Sequence, residues 1–273
     1  MNITIDGKLA DITLEQEKTI GDVLSALENW LRGSGYRLSG IRVNGETVGE
    51  ATLDHFFNRD ISTVQTLDLQ TSSWAEHAIQ SIVSLYGMLE RLEKSAYTER
   101  EALRAEWTAL PGARFLRAEL PELGAMAEQS FAGEGAAPGE LRSILEERLR
   151  ELENPRGELA ASESLIEALA GRLEELPLDI QTGKDRRAAE TMSLFSTIAE
   201  KLVRLFNLLK IEGLFPENIT IEGVPVVDYI GKFDSILKDL IRAYEERDTV
   251  LVGDLAEYEL APRLLQFYTA IKV

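Results

Sequence analysis

The densest group of chemically capable side chains lies late in the chain. Glu245, Glu246 and Asp248 precede Asp254, Glu257 and Glu259, with Tyr244 and Tyr258 nearby. Asp254 and Glu257 are three residues apart, a spacing that puts both on one face of a helix. Oxygen ligands gathered there would suit Mg²⁺ or Ca²⁺, or the two carboxyls would work as an acid and a base. The same spacing has a plainer use, with Asp254 as the N-cap of the last helix and Glu257 completing a capping box. Asp254 and Glu257 are therefore kept as the metal-ligand candidates, and no catalytic residue and no cofactor is assigned.

The remaining inventory is short. There are two histidines, His55 and His77, and no cysteine, which removes disulfides, thiolate metal sites and cysteine nucleophiles together. His77 sits beside Glu76 on a charged stretch and reads as an exposed polar residue. Gly33-Ser34-Gly35 lacks the spacing of a nucleophile elbow and reads as the end of a helix. Neither a His-Glu-x-x-His nor a Glu-x-x-His pair occurs, and no phosphate-cradling glycine loop is present. Gly133-Glu134-Gly135 follows no strand and carries an acid, so it reads as a loop.

Charge narrows the partners. The chain has 273 residues with 29 basic against 47 acidic side chains, a formal net charge of −18. Nucleic-acid backbones and anionic membrane surfaces are recognised by Lys and Arg, so neither is an expected partner. The tight basic cluster Lys184, Arg186 and Arg187 has Asp185 among it. No secretory signal opens the sequence and no apolar run approaches a membrane span. The expected location is cytoplasmic.

Residues 1 to 70 read as a mixed α/β unit. Asn2 to Asp6 alternates apolar and polar, Gly7-Lys8 can turn the chain, and Leu9 to Leu14 supplies a second strand. Thr19 and Asp22 suit a helix start. Ile20, Val23, Leu24, Leu27, Trp30 and Leu31 recur on one apolar face. Ile41-Arg42-Val43, Asn44-Gly45 and Glu46-Thr47-Val48 read as a hairpin, because Asn-Gly fits a turn with two positive φ values. Val64, Leu67 and Leu69 mark a last strand.

This order resembles the β-grasp fold of ubiquitin-like proteins and of the small sulfur carriers of thiamine and molybdopterin synthesis. Ile41-Arg42-Val43-Asn44-Gly45-Glu46 looks like the Val-Asn-Gly hairpin of those carriers. The resemblance covers about a quarter of the chain and implies a β-grasp sheet. The carriers end in an activated Gly-Gly, whereas Leu69-Gln70-Thr71-Ser72-Ser73 has no such pair and the chain continues. What the resemblance implies is a binding module.

Residues 71 to 273 read as a helical domain, giving an α+β chain. Within 71–180, Ala75, Ala78, Ile82, Leu85, Leu89, Leu92 and Ala96 form a heptad seam. A helical hairpin is expected over 141–176, broken at Asn154-Pro155-Arg156-Gly157, with a linker from Pro177 to Gly183. Core helices fill 184–273. The most apolar spans 184–211, and its Phe195, Leu202, Phe206 and Leu209 are the expected partner or self-association surface. Pro262 should kink the last helix or mark its early turn. Asn2 to Gly7 is echoed by Asn218 to Gly223, which reads as two similar strand-to-turn pieces. The expected function is a non-enzymatic protein–protein interaction or scaffold protein that binds through apolar helix faces. The alternatives are an acidic secretion or assembly chaperone, and a metal-dependent hydrolase using the late carboxylates.

Overall fold

The computed structural model describes residues 1–14, 17–33, 35–215 and 219–272. Ser34 and Asn218, which belong to two of the motifs above, lie outside them. The chain is α+β, with one small mixed sheet followed by helices. It divides into two compact units, Met1–Leu149 and Arg150–Val273.

The first unit begins with strands β1 (Asn2–Ile5) and β2 (Lys8–Leu9), helix α1 (Ile20–Gly33), strands β3 (Tyr36–Val43) and β4 (Glu46–Thr47), helix α2 (Glu50–Phe57) and strand β5 (Thr66–Ser73). The sheet order is β2-β1-β5-β3-β4, with β1 parallel to β5 and the other pairs antiparallel. Both hairpins turn on a two-residue loop with positive φ. These are Asp6-Gly7 at 50° and 76°, and Asn44-Gly45 at 52° and 83°. Each turn is tied to the neighbouring strand. Asp6 accepts from the Thr71 N–H and hydroxyl at 2.8 and 2.6 Å. Asn44 Oδ1 accepts from the Gln65 and Thr66 N–H groups at 2.7 and 3.1 Å.

One sheet face is apolar. Ile3, Val43, Leu67 and Leu69 pack with Ile20, Val23, Leu24 and Leu27 of α1. The capping expectation for α1 holds, since Thr19 Oγ1 accepts from Asp22 N–H at 3.2 Å and Asp22 accepts from Thr19 N–H at 2.9 Å. The opposite face is polar, and there Thr4 donates to Asp68 at 2.6 Å. The second strand is shorter than expected. Pairing from Ile5↔Lys8 reaches the Ala10 N–H bonded to the Ile3 carbonyl at 2.9 Å, where β1 has one residue left. Residues 10–14 keep a strand-like alternation of half-buried and exposed positions without joining the sheet.

Strand β5 runs past the expected boundary at residue 70 into α3 (Trp74–Lys94). A Ser73–Glu76 capping box starts that helix. Its expected seam is buried at Ala78, Ile82, Leu85, Leu89 and Leu92. Helices α4 (Arg100–Ala109), α5 (Pro111–Glu119) and α6 (Pro121–Ala132) complete the unit, with most of α7 (Pro138–Glu153). The stretch expected as a hairpin is realised as three consecutive helices, α7, α8 (Pro155–Ala161) and α9 (Glu163–Gln181), and the unit boundary falls within α7.

In the second unit α9 continues through Pro177, so the expected linker is helical as far as Gln181. The proline ring fits there because it faces Gly253, where a Cβ would stand 3.1 Å from Pro177 Cγ. Helix α10 (Asp185–Ile211) follows, then a hairpin of β6 (Thr220–Ile221) and β7 (Val224–Pro225), α11 (Val226–Glu245) and α12 (Thr249–Gly253). A π-helical segment, Asp254–Leu260, links α12 to α13 (Ala261–Ile271). The β6–β7 turn is Glu222-Gly223 with φ of 53° and 78°, the same device as Asp6-Gly7, so the two short echoes are similar strand-to-turn pieces. Pro262 accounts for the π turn. It has no N–H to donate and its ring crowds the preceding turn, and the helix widens there, with Ala261 N–H bonding the Ala256 carbonyl.

Candidate functional site

An open groove of about 570 Å³ lies between α1 and the chain that follows β2. One wall is Val23, Ala26, Leu27 and Trp30, spaced as one stripe of α1. The other is the segment left over from strand pairing, where Ala10, Ile12 and Leu14 alternate with Asp11 and Thr13. Ile5 and Glu17 complete the lining. Trp30 shares the apolar spacing of α1, yet it is 60% exposed while Ile20, Val23, Leu24, Leu27 and Leu31 are buried. Trp30 thus places a large flat side chain, apolar on its face and polar at its N–H, at the mouth of an apolar groove.

A second convergence lies where β3, α3 and α5 meet. Glu119 accepts from Arg37 at 3.3 Å and from the Trp74 indole N–H at 3.2 Å. His77 stacks on Phe115 with ring centroids 5.8 Å apart. Its Nε2 is buried, with no hydrogen-bond partner among the described residues. Burial pushes the imidazole below its ordinary value, the Arg37 charge adds to this, and Glu76 opposes both. His77 is thus half-buried rather than exposed as expected. The sequence offered no cue, because Phe115 and Arg37 are distant in the chain.

The expected partner surface on α10 turns inward. Phe195, Leu202, Phe206 and Leu209 are at most 2% exposed and belong to the core of the second unit. Phe195 meets Phe233 of α11, and Phe206 meets Phe267 of α13. Most of the apolar circumference of α10 is covered by helices of its own unit, with Ile211 at its end left exposed.

The late carboxylates are not brought together either. Asp248, six residues before Asp254, caps α12 by accepting from Leu251 N–H at 3.0 Å. Asp254 lies inside the continuing helix and is exposed. The wide π turn removes the three-residue stacking that would align Asp254 with Glu257. Glu257 instead lies beside the exposed Tyr258, and its carboxylate pushes that phenol above its ordinary value. Among the described residues, no group of three or more His, Asp or Glu could hold a metal ion.

The basic cluster is matched by acids of its own unit. Lys184 and Arg187 reach the buried Asp179 at 3.3 and 3.1 Å, Arg187 also pairs with Glu175, and Arg186 pairs with Glu190 at 2.9 Å. No helix among the described residues is long and apolar enough to cross a membrane.

Two family models match separate parts of the chain. Residues 1–73 match the family model described as the TP0873 N-terminal domain. Residues 159–270 match a domain of unknown function, DUF8042. The first match ends at Ser73, the last residue of β5, and the second lies within the second unit. The chain is 26% identical over 262 residues to an uncharacterized protein of Treponema pallidum (strain Nichols), an alignment covering 96% of this chain and 92% of that one. No solved structure matches.

Proposed function

We propose that this is a non-enzymatic interaction protein that recognises a partner through the groove of its first unit. The reading includes a β-grasp identity for the N-terminal sheet. The order β2-β1-β5-β3-β4, with α1 inserted between β2 and β3, supports that identity. Sulfur-carrier chemistry does not come with it, because β5 passes directly into α3 with no terminal Gly-Gly.

The observation that carries the proposal is the groove itself, with Trp30 60% exposed at an apolar cleft. Leaving an indole in water forgoes roughly 1.5–3 kcal/mol of burial, an arrangement that suits a surface covered by a partner. The opposite face of the sheet supports the same choice of site, since Thr4, Arg42, Asp68 and Gln70 present polar side chains along its central strands.

The test is paired affinity capture from the native source. Wild-type protein serves as one bait and a Trp30→Ala, Ala26→Lys double variant as the other. Both positions are exposed on α1, so the variant should fold. A partner held by wild type and released by the variant supports the reading. Identical capture by both baits defeats it.

A further inference from the structure

We infer that the groove along α1 selects a basic amphipathic helix of another protein, one presenting large apolar side chains flanked by Lys or Arg. This inference rests on the groove being the binding site. The apolar wall of Val23, Ala26, Leu27 and Trp30 spans eight residues of α1, about 10 Å from first to last at the helical rise. That length matches two turns of a partner helix, which bring apolar side chains at three- and four-residue spacing onto one face. Charge then chooses among such helices. The described lining contains two carboxylates, Asp11 and Glu17, and no base. The chain as a whole carries a net charge of −18, so an acidic helix is repelled at long range and again at the groove. The indole of Trp30 adds a face on which an Arg or Lys can rest.

The experiment titrates the full chain with three synthetic amphipathic helices of about four turns. They share one Leu face and carry Lys, Gln or Glu on the other. Binding is read by calorimetry and by tryptophan emission, in which Trp30 is the exposed reporter, Trp74 is half-buried against Glu119 and Trp107 is buried. The Leu/Lys peptide should bind at least about tenfold more tightly than the Leu/Glu peptide. Trp30→Ala should weaken it about tenfold, and Ala26→Lys should do the same while raising affinity for Leu/Glu. Circular dichroism confirms that both variants are folded.

If both variants bind Leu/Lys like wild type, the peptide is reading overall acidity and the inference fails. If all three peptides bind equally and all lose affinity in Trp30→Ala, the groove reading stands and the basic partner falls. If no peptide binds, both fall together.

Discussion

Asp248 and Asp254 are both exposed carboxylates at the start of the last helical run, and Asp248 is the one bonded to the helix backbone. Asp248→Ala should therefore cost about 1 kcal/mol of stability in urea unfolding. Asp254→Ala should stay within about 0.5 kcal/mol of wild type. Equal losses would return the capping role to Asp254. His77 gives a second residue-level test, through pH. Its folded pKa lies below its ordinary value, from burial first, then Arg37, against Glu76. The neutral imidazole is the form the fold accepts, so the stability tied to it is complete above the unfolded pKa. As pH falls below about 6.5 the unfolded chain takes the proton first, and stability is lost until the folded pKa is passed. Asp6, Asp22 and Asp60 are also held low, each by hydrogen bonds from nearby Thr, Ser or backbone groups, but their loss comes below the usual carboxylate range. Between about pH 7.5 and about pH 5.5, His77→Gln should therefore lose less stability than wild type. Parallel curves for the two proteins would place the pH dependence elsewhere.

At the scale of elements, α10 is the clearest case. Leu202 is completely buried among the helices of the second unit. Leu202→Ala should cost about 3 kcal/mol through lost burial and the cavity left behind, with peptide binding at the first unit unchanged. A mild loss together with new self-association would make α10 a surface after all. The ion pair of Glu151 with Arg204, bonded twice at 2.9 and 3.0 Å, behaves in a similar way. Glu151 is 1% exposed while Arg204 is partly exposed, so Glu151→Gln should cost about 1–2 kcal/mol by replacing two charge-assisted hydrogen bonds with a weaker neutral one. These cases also separate what the residues announce from what they do not. The Asn44-Gly45 hairpin, the Thr19–Asp22 cap and the α3 seam are local, and each was legible because a turn, a cap or a period is decided within a few residues. The direction in which α10 faces was not legible. Its apolar pattern is the same whether α9, α11 and α13 cover it or a second chain does. The groove escaped for a related reason. Leu9 to Leu14 has a strand's alternation, but strand pairing depends on how far β1 extends opposite it, and that register is set by the Asp6-Gly7 turn. Pro262 lay between the two extremes, because its disturbance of the last helix was foreseeable while the π turn that absorbs it was not.

At the scale of the whole molecule, the question is whether the chain joins to itself. The expectation of self-association rested on the α10 seam, and Phe195, Leu202, Phe206 and Leu209 are enclosed within their own unit. Two copies also bring together net charges of −18 each, whose repulsion acts over about 10 Å at 0.1 M salt. Both effects favour a single chain. The first is independent of salt, whereas the second fades as salt rises. Sedimentation equilibrium at low salt and at about 0.5 M NaCl separates them. If burial of the seam decides the matter, the mass stays near 30.4 kDa under both conditions. If repulsion alone keeps the copies apart, a dimer appears at high salt. Trp30→Ala then tells which surface makes it: loss of the dimer would make the α1 groove the contact, and persistence would point to the second unit.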